Sequence, residues 1–304
     1  MKNFILNLLV DPVDKSKLEF DLVNNKLIST NPENNYRYSI EENTPILLPA
    51  KPQNFKKDNI HQDFNTEFDY TEHYKKDAET FEYVLGHDVA TTDHDFRRIR
   101  ESITQRIPKS NQLILDVGCG GGWAANYYKD KGNKLVSMDI AKKNSINVLK
   151  NFPFENHNSV CADVLNLPFA ENSFDYIFSS EVIEHVPDPN LFINNLLSIL
   201  KPNGKLIITS PYNEKLDYHL CIHCNNLTPK HAHLHSFNES NIFNFIPEKY
   251  KSKIKFLIFG NKYLPKLRTH IILKYLPYKV WLLVDKLANK LVNKPERFLF
   301  EIEK

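Results

Sequence analysis

Four groups of residues in this 304-residue chain combine types and spacings that can carry chemistry. The first is the run DVGCGGG (116–122), which follows the apolar stretch LILDV. Gly118, Gly120 and Gly122 let a backbone turn tightly and approach a ligand without Cβ clashes, at the head of a following helix. The second is Asp139, 21 residues beyond Gly118 at the end of the next apolar run. A carboxylate there can accept hydrogen bonds from the two hydroxyls of a ribose. A dinucleotide fingerprint is excluded, because Trp123 stands where its third glycine belongs. The third group is Glu181, Glu184 and His185, an E-x-x-E-H cluster whose members share a face if the segment is helical. His185 reads as a near-neutral base, as a divalent-metal ligand with the carboxylates, or as a cap that orients the next loop. The fourth is YHLCIHCNNLTPKHAHLHSF (218–237), with Cys221, Cys224 and five histidines. The C-x-x-C pair reads as half of a zinc site completed by His233 and His235, with His231 as a further candidate. The same histidines read alternatively as a solvated substrate loop, or as residues reaching the E-x-x-E-H cluster.

These residues need elements to position them. LILDV (113–117), KLVSMDI (134–140), SVCADV (159–164), FDYIFSSE (174–181) and KLIITSP (205–211) are apolar runs separated by helical stretches. Continuous apolar strands alternating with helices predict a doubly wound, Rossmann-like α/β sheet, mostly parallel. Phe192, Ile193, Leu196, Leu197 and Leu200 fall at helical spacing, and KPNG (201–204) stops that helix. Residues 1–49 read as a small β-domain with a hairpin at Asn24-Asn25, and 50–62 as a polar linker. Residues 63–107 read as helical and aromatic-rich. KIKFLIFG (253–260) and FLFEIEK (298–304) read as a closing pair of strands.

The GxGxG spacing resembles the first motif of class I S-adenosylmethionine-dependent methyltransferases. CADVLNLPF, FDYIFSSEVIEHVPDP and LKPNGKLIITSP extend the resemblance over roughly 110–215, toward the branch with ubiquinone-pathway O-methyltransferases. The resemblance implies that Asp116 and Gly118 approach the methionine moiety, Asp139 the ribose, and Asp163 with Val164 the adenine. It implies that Glu181 lies where the reactive methyl meets substrate, that 212–297 covers the acceptor pocket, and that the closing strands form an antiparallel edge. Small-RNA 2′-O-methyltransferases carry a similar E-x-x-E-H cluster with a distal histidine. LLVDPVDKSKL with YSIEENTPILLP resembles a small zinc-ribbon domain that partners or precedes some methyltransferases, but Asp11 and Asp14 stand where its cysteines would be. The function implied is methyl transfer to oxygen of a small molecule. Nitrogen, carbon or an RNA ribose as acceptor, and a non-catalytic partner protein, are the alternatives.

Composition bounds these readings. With 39 Lys+Arg against 37 Asp+Glu, the net charge of +2 excludes a globally basic nucleic-acid binder. Four cysteines cannot be a disulfide framework, and no signal peptide or apolar membrane-spanning run is legible, so a cytoplasmic location is expected. Residues 262–297 carry nine Lys/Arg and two acids. They read as an amphipathic helix pair with a solvated basic face, or as a surface for peripheral membrane or lipid contact.

Overall fold

The computed structural model describes residues 3–49, 69–81, 90–223 and 225–304. A single turn of helix, α1 (Asn3–Leu6), precedes four short strands, β1 (Leu18–Asp21), β2 (Lys26–Ser29), β3 (Arg37–Glu41) and β4 (Thr44–Leu47), each antiparallel to the next. Asn25, with φ of 51°, supplies the left-handed position at the first hairpin. Asp11 and Asp14 hold the loop before β1. Asp11 accepts from the backbone N–H of Val13 and Asp14 and from the Tyr38 hydroxyl, while Asp14 accepts from Ser16 and Asn31. These carboxylates organise the turn by hydrogen bonds, where the look-alike domain has thiols.

The N-terminal strands do not stand apart. β4 pairs in parallel with β7 (His157–Ala162), Ile46 opposite Cys161 and Leu47 opposite Ala162, so one sheet of eleven strands results. Val10 N–H and Ala170 N–H add backbone bonds between the N-terminal loop and the segment after β7. The expected linker, 50–62, lies outside the described residues.

Two helices follow, α2 (Tyr70–Thr80) and α3 (Ala90–Thr104). The α/β core then runs β5 (Leu113–Val117), α4 (Trp123–Tyr128), β6 (Lys134–Asp139), α5 (Lys142–Asn151), β7, β8 (Phe174–Ser180), α6 (Pro189–Ile199) and β9 (Leu200–Pro211). Its parallel order is β7-β6-β5-β8-β9. Ile114, Leu115 and Val117 of β5 are buried on both faces, as the unbroken apolar run requires. In α6, Asp188 caps by accepting from Leu191 N–H, and Phe192, Ile193, Leu196 and Leu197 face the core. The helix ends at Ile199, and the expected stop KPNG is already part of β9, with Asn203 at φ 63° taking the bend.

A two-stranded hairpin, β10 (Tyr218–Leu220) with β11 (Leu227–Pro229), a short α7 (Glu248–Lys251), β12 (Ile254–Phe259), α8 (His270–Leu273), α9 (Tyr278–Leu291) and β13 (Arg297–Glu303) complete the chain. β13 inserts between β9 and β12, antiparallel to both, and forms the antiparallel edge. The strand order reverses between β5 and β8, so their carboxyl ends open the crevice where this topology holds ligands.

Candidate active site

The glycine turn leaves β5 into that crevice. Gly118 and Cys119 N–H both donate to Met138 O, tying the turn to β6. Gly118, Gly120 and Gly122 all have positive φ, but their surroundings differ. A Cβ on Gly118 would meet Val182 at 2.5 Å, and one on Gly122 would meet Val148 at 2.6 Å. A Cβ on Gly120 would meet nothing within 4 Å, and Gly120 lines a cleft of about 240 Å³. Two glycines thus serve close packing, and the third keeps space for a ligand.

Asp139 braces the turn from below. Its Oδ2 accepts from Gly120 N–H and its Oδ1 from Ala141 N–H, each at 2.9 Å, and the residue still lines the cleft. Burial raises its pKa. Asp163 also lines the cleft but is already engaged, accepting from the Tyr70 hydroxyl at 2.6 Å, Leu165 N–H and the Asn166 amide. Val164 lies beside it on the cleft wall. Asp116 differs from its expected place: it is 1% exposed, is not on the cleft wall, and its Oδ2 has no hydrogen-bond partner among the described residues. Burial, then the charge of Asp139, raise its pKa well above the carboxylate range. It sits behind the turn.

Tyr70, Tyr74 and Asp77 of α2 cover the cleft, a role not assigned to them from sequence. Their spacing of four and three residues places them on one helix face, which was the available signal. The Tyr74 ring meets the His185 ring edge-on at 5.7 Å.

The E-x-x-E-H cluster closes the cleft from the β8 side. The segment is not an α-helix: Glu181 has φ of 56°, and Ile183–His185 make one 3-10 turn. The two glutamates therefore part. Glu181 pairs with Arg297 at 2.9 Å, an ion pair brought by β13 and absent from the sequence reading. Glu184 points inward, 1% exposed; its Oε2 accepts from the Ser210 hydroxyl and its Oε1 has no partner among the described residues. Burial, reinforced by Glu181, holds its pKa well up. His185 lines the cleft, donates from Nδ1 to Ala232 O at 3.2 Å, and is kept neutral by burial and by His233, its pKa pushed down to about 4.

The histidine-rich segment divides. His233 turns to the cluster: its ring lies 4.8 Å from that of His185, and its Nδ1 binds Glu214, whose pKa this contact lowers. His235 instead donates from Nε2 to Val186 O at 3.0 Å. Cys221 sits at the tip of the β10–β11 hairpin, and Cys224 lies outside the described residues. Among the described residues, Cys221, His233 and His235 do not assemble as metal ligands. The group close enough to hold an ion is Glu184, His185 and His233.

Residues 115–208, spanning the glycine turn, Asp139, Asp163 and the E-x-x-E-H cluster, match the methyltransferase domain family. Over these residues the chain is similar to methyltransferases. A ubiquinone biosynthesis O-methyltransferase of Coxiella burnetii is 35% identical over 111 residues, 36% of this chain and 47% of that protein. An uncharacterized protein of Methanocaldococcus jannaschii is 39% identical over 100 residues, 33% of this chain and 41% of that one. Phosphoethanolamine N-methyltransferase 2 of Caenorhabditis elegans is 33% identical over 116 residues, 36% of this chain and 26% of that one. The chain thus spans less than half the length of these relatives. The family match, 115–208, leaves out the N-terminal strands and the segment that carries His233, α8 and α9.

Proposed function

We propose that the protein transfers the methyl group of S-adenosylmethionine to a hydroxyl oxygen of a small-molecule acceptor. One observation carries the reading. Gly118, Gly120, Asp139, Asp163 and Val164 line the same cleft as His185, so a cofactor on the first set would present its methyl beside the second. In this reading the ribose hydroxyls bind Asp139 over the open face of Gly120. The adenine lies against Asp163 and Val164, held from above by Tyr70. Asp116 and Gly122 act through the turn itself.

The donor sulfonium is already activated, so the protein must align the acceptor and take its proton. The C–S bond breaks as the C–O bond forms in line, and the hydroxyl proton leaves to a base. His185 lines the cleft with its Nδ1–H held by a carbonyl, so its Nε2 is placed to receive that proton or to bind the group that does. A nitrogen acceptor is the second reading, supported by the N-methyltransferase among the relatives.

The reading also includes a lipid surface. Leu283, Leu287 and Leu291 are exposed on α9 among the exposed Lys279, Lys286 and Lys290. Its acid, Asp285, is buried against Arg98. Apolar side chains framed by cations fit an anionic membrane interface. Among the described residues no helix is long and apolar enough to cross a membrane.

Incubation with methyl-labelled cofactor and a fractionated metabolite extract tests the acceptor class. Label is expected in an O-methylated small molecule. Label recovered only in RNA, protein or an amine would overturn the proposal.

A further inference from the structure

We infer that Asn195 of α6 is a positioning residue that sets how the cleft selects the base of its cofactor. The inference rests on the reading that places adenine against Asp163 and Val164.

That wall of the cleft is the turn 163–167, whose middle is a single 3-10 turn (Val164–Asn166). Its carboxylate is largely engaged by its own turn and by α2. Asp163 Oδ1 accepts from Leu165 N–H at 2.9 Å, and Oδ2 accepts from Asn166 Nδ2 at 2.9 Å and the Tyr70 hydroxyl at 2.6 Å. An ionised carboxylate has about four lone-pair sites, so about one remains for a ligand. Recognition through a single lone pair depends on its direction. That direction follows the backbone of the turn.

One side chain holds this backbone from behind. Val164 and Leu165 are buried, and buried carbonyls need donors. Asn195 Nδ2 serves both, donating to Val164 O at 3.1 Å and Leu165 O at 3.0 Å. Close packing does not replace these bonds. A cavity of about 320 Å³ borders the turn here, lined by Leu167, Phe169 and Asn195 itself. With a void on that side, two hydrogen bonds rather than van der Waals contact decide where the turn sits. Asn195 is not on the cleft wall, so it acts through Asp163 and Val164.

The chemical consequence is base selection. The exocyclic amino group of adenine donates to a carboxylate, whereas the oxygen at the same place in hypoxanthine only accepts and is repelled. Loss of the Asn195 bonds lets the turn shift and spoils the first interaction more than it affects the rest of the cofactor.

Titration calorimetry on the full chain with S-adenosylhomocysteine and S-inosylhomocysteine tests this. Wild type should prefer the adenine compound. In Asn195→Ala, water can reach the freed carbonyls from the cavity, so the chain should still fold. Its affinity for S-adenosylhomocysteine should fall at least about tenfold, the weight of one charge-assisted hydrogen bond. Its affinity for S-inosylhomocysteine should stay nearly unchanged, so the preference collapses. Ser198, whose hydroxyl donates to Asn195 O of the same helix, lines the same cavity, and Ser198→Ala should keep both affinities. Asn195→Gln keeps the amide but displaces it by one methylene, so its preference should fall between those of wild type and Asn195→Ala. A wild-type preference in either Asn195 variant, or an equal loss for both compounds, would overturn the inference. Failure of wild type to bind either compound is a distinct result, which would overturn the methyltransferase reading and this inference with it.

Discussion

At the residue scale, Asp139 links the cofactor cleft to the glycine turn, since the oxygen facing Gly120 N–H belongs to a side chain on the cleft wall. Asp139→Asn should weaken S-adenosylhomocysteine binding by about 1–3 kcal/mol, through lost charge-assisted hydrogen bonds. Titration calorimetry reads this, and unchanged affinity would remove Asp139 from the site. His94 is a different kind of buried polar group. It is 3% exposed, stacks edge-on against Trp281, and neither ring nitrogen has a partner among the described residues. Burial, then Arg98, push its pKa from 6.5 to about 4. Between those values the unfolded chain binds more protons than the folded one, so this residue's effect on stability worsens as pH falls from 6.5 toward 4 and is absent above. His94→Leu should therefore raise the urea midpoint more at about pH 5 than at about pH 7.5. An equal loss of stability at both pH values would contradict that account.

At the scale of elements, the glycine turn separates two demands that one motif usually hides. Gly122→Ala should destabilise the fold, because its Cβ meets Val148 at 2.6 Å while φ is 80°. Gly120→Ala costs about 1–2 kcal/mol for a left-handed alanine. It should leave a cooperative melt yet block cofactor binding, since its methyl enters the cleft. Equal melting temperatures for the two variants would contradict this division. The five core strands were legible in sequence because strands buried on both faces read as unbroken apolar runs. The glycine turn, Asp139 and Asp163 were legible for the related reason that their positions at strand ends follow from those runs. The pairing of β4 with β7, the Glu181–Arg297 ion pair and the approach of His233 to His185 were not. Each joins segments far apart in the chain, and no local period records such a meeting. The burial of Asp116 was not legible either, because a carboxylate at a strand end looks the same in sequence whether it faces a ligand or the interior.

At the scale of the whole molecule, the sheet extends in both directions from the site. The N-terminal strands support β7, whose end presents Asp163 and Val164, and β13 supports β9 and delivers Arg297 to Glu181. The insertion between β12 and β13 carries the basic, apolar surface of α8 and α9. Sedimentation with anionic vesicles should pull the protein down at low salt, and Lys286→Glu with Lys290→Glu should reverse this. Equal binding to neutral vesicles, or none to anionic ones, would contradict the lipid contact. The central claim is that this cleft holds S-adenosylmethionine, and titrating S-adenosylhomocysteine into the folded wild-type chain tests it most directly. The account predicts binding of one molecule per chain, lost in Gly120→Ala without loss of fold. Absence of binding, or selective binding of a nicotinamide dinucleotide in its place, would contradict it.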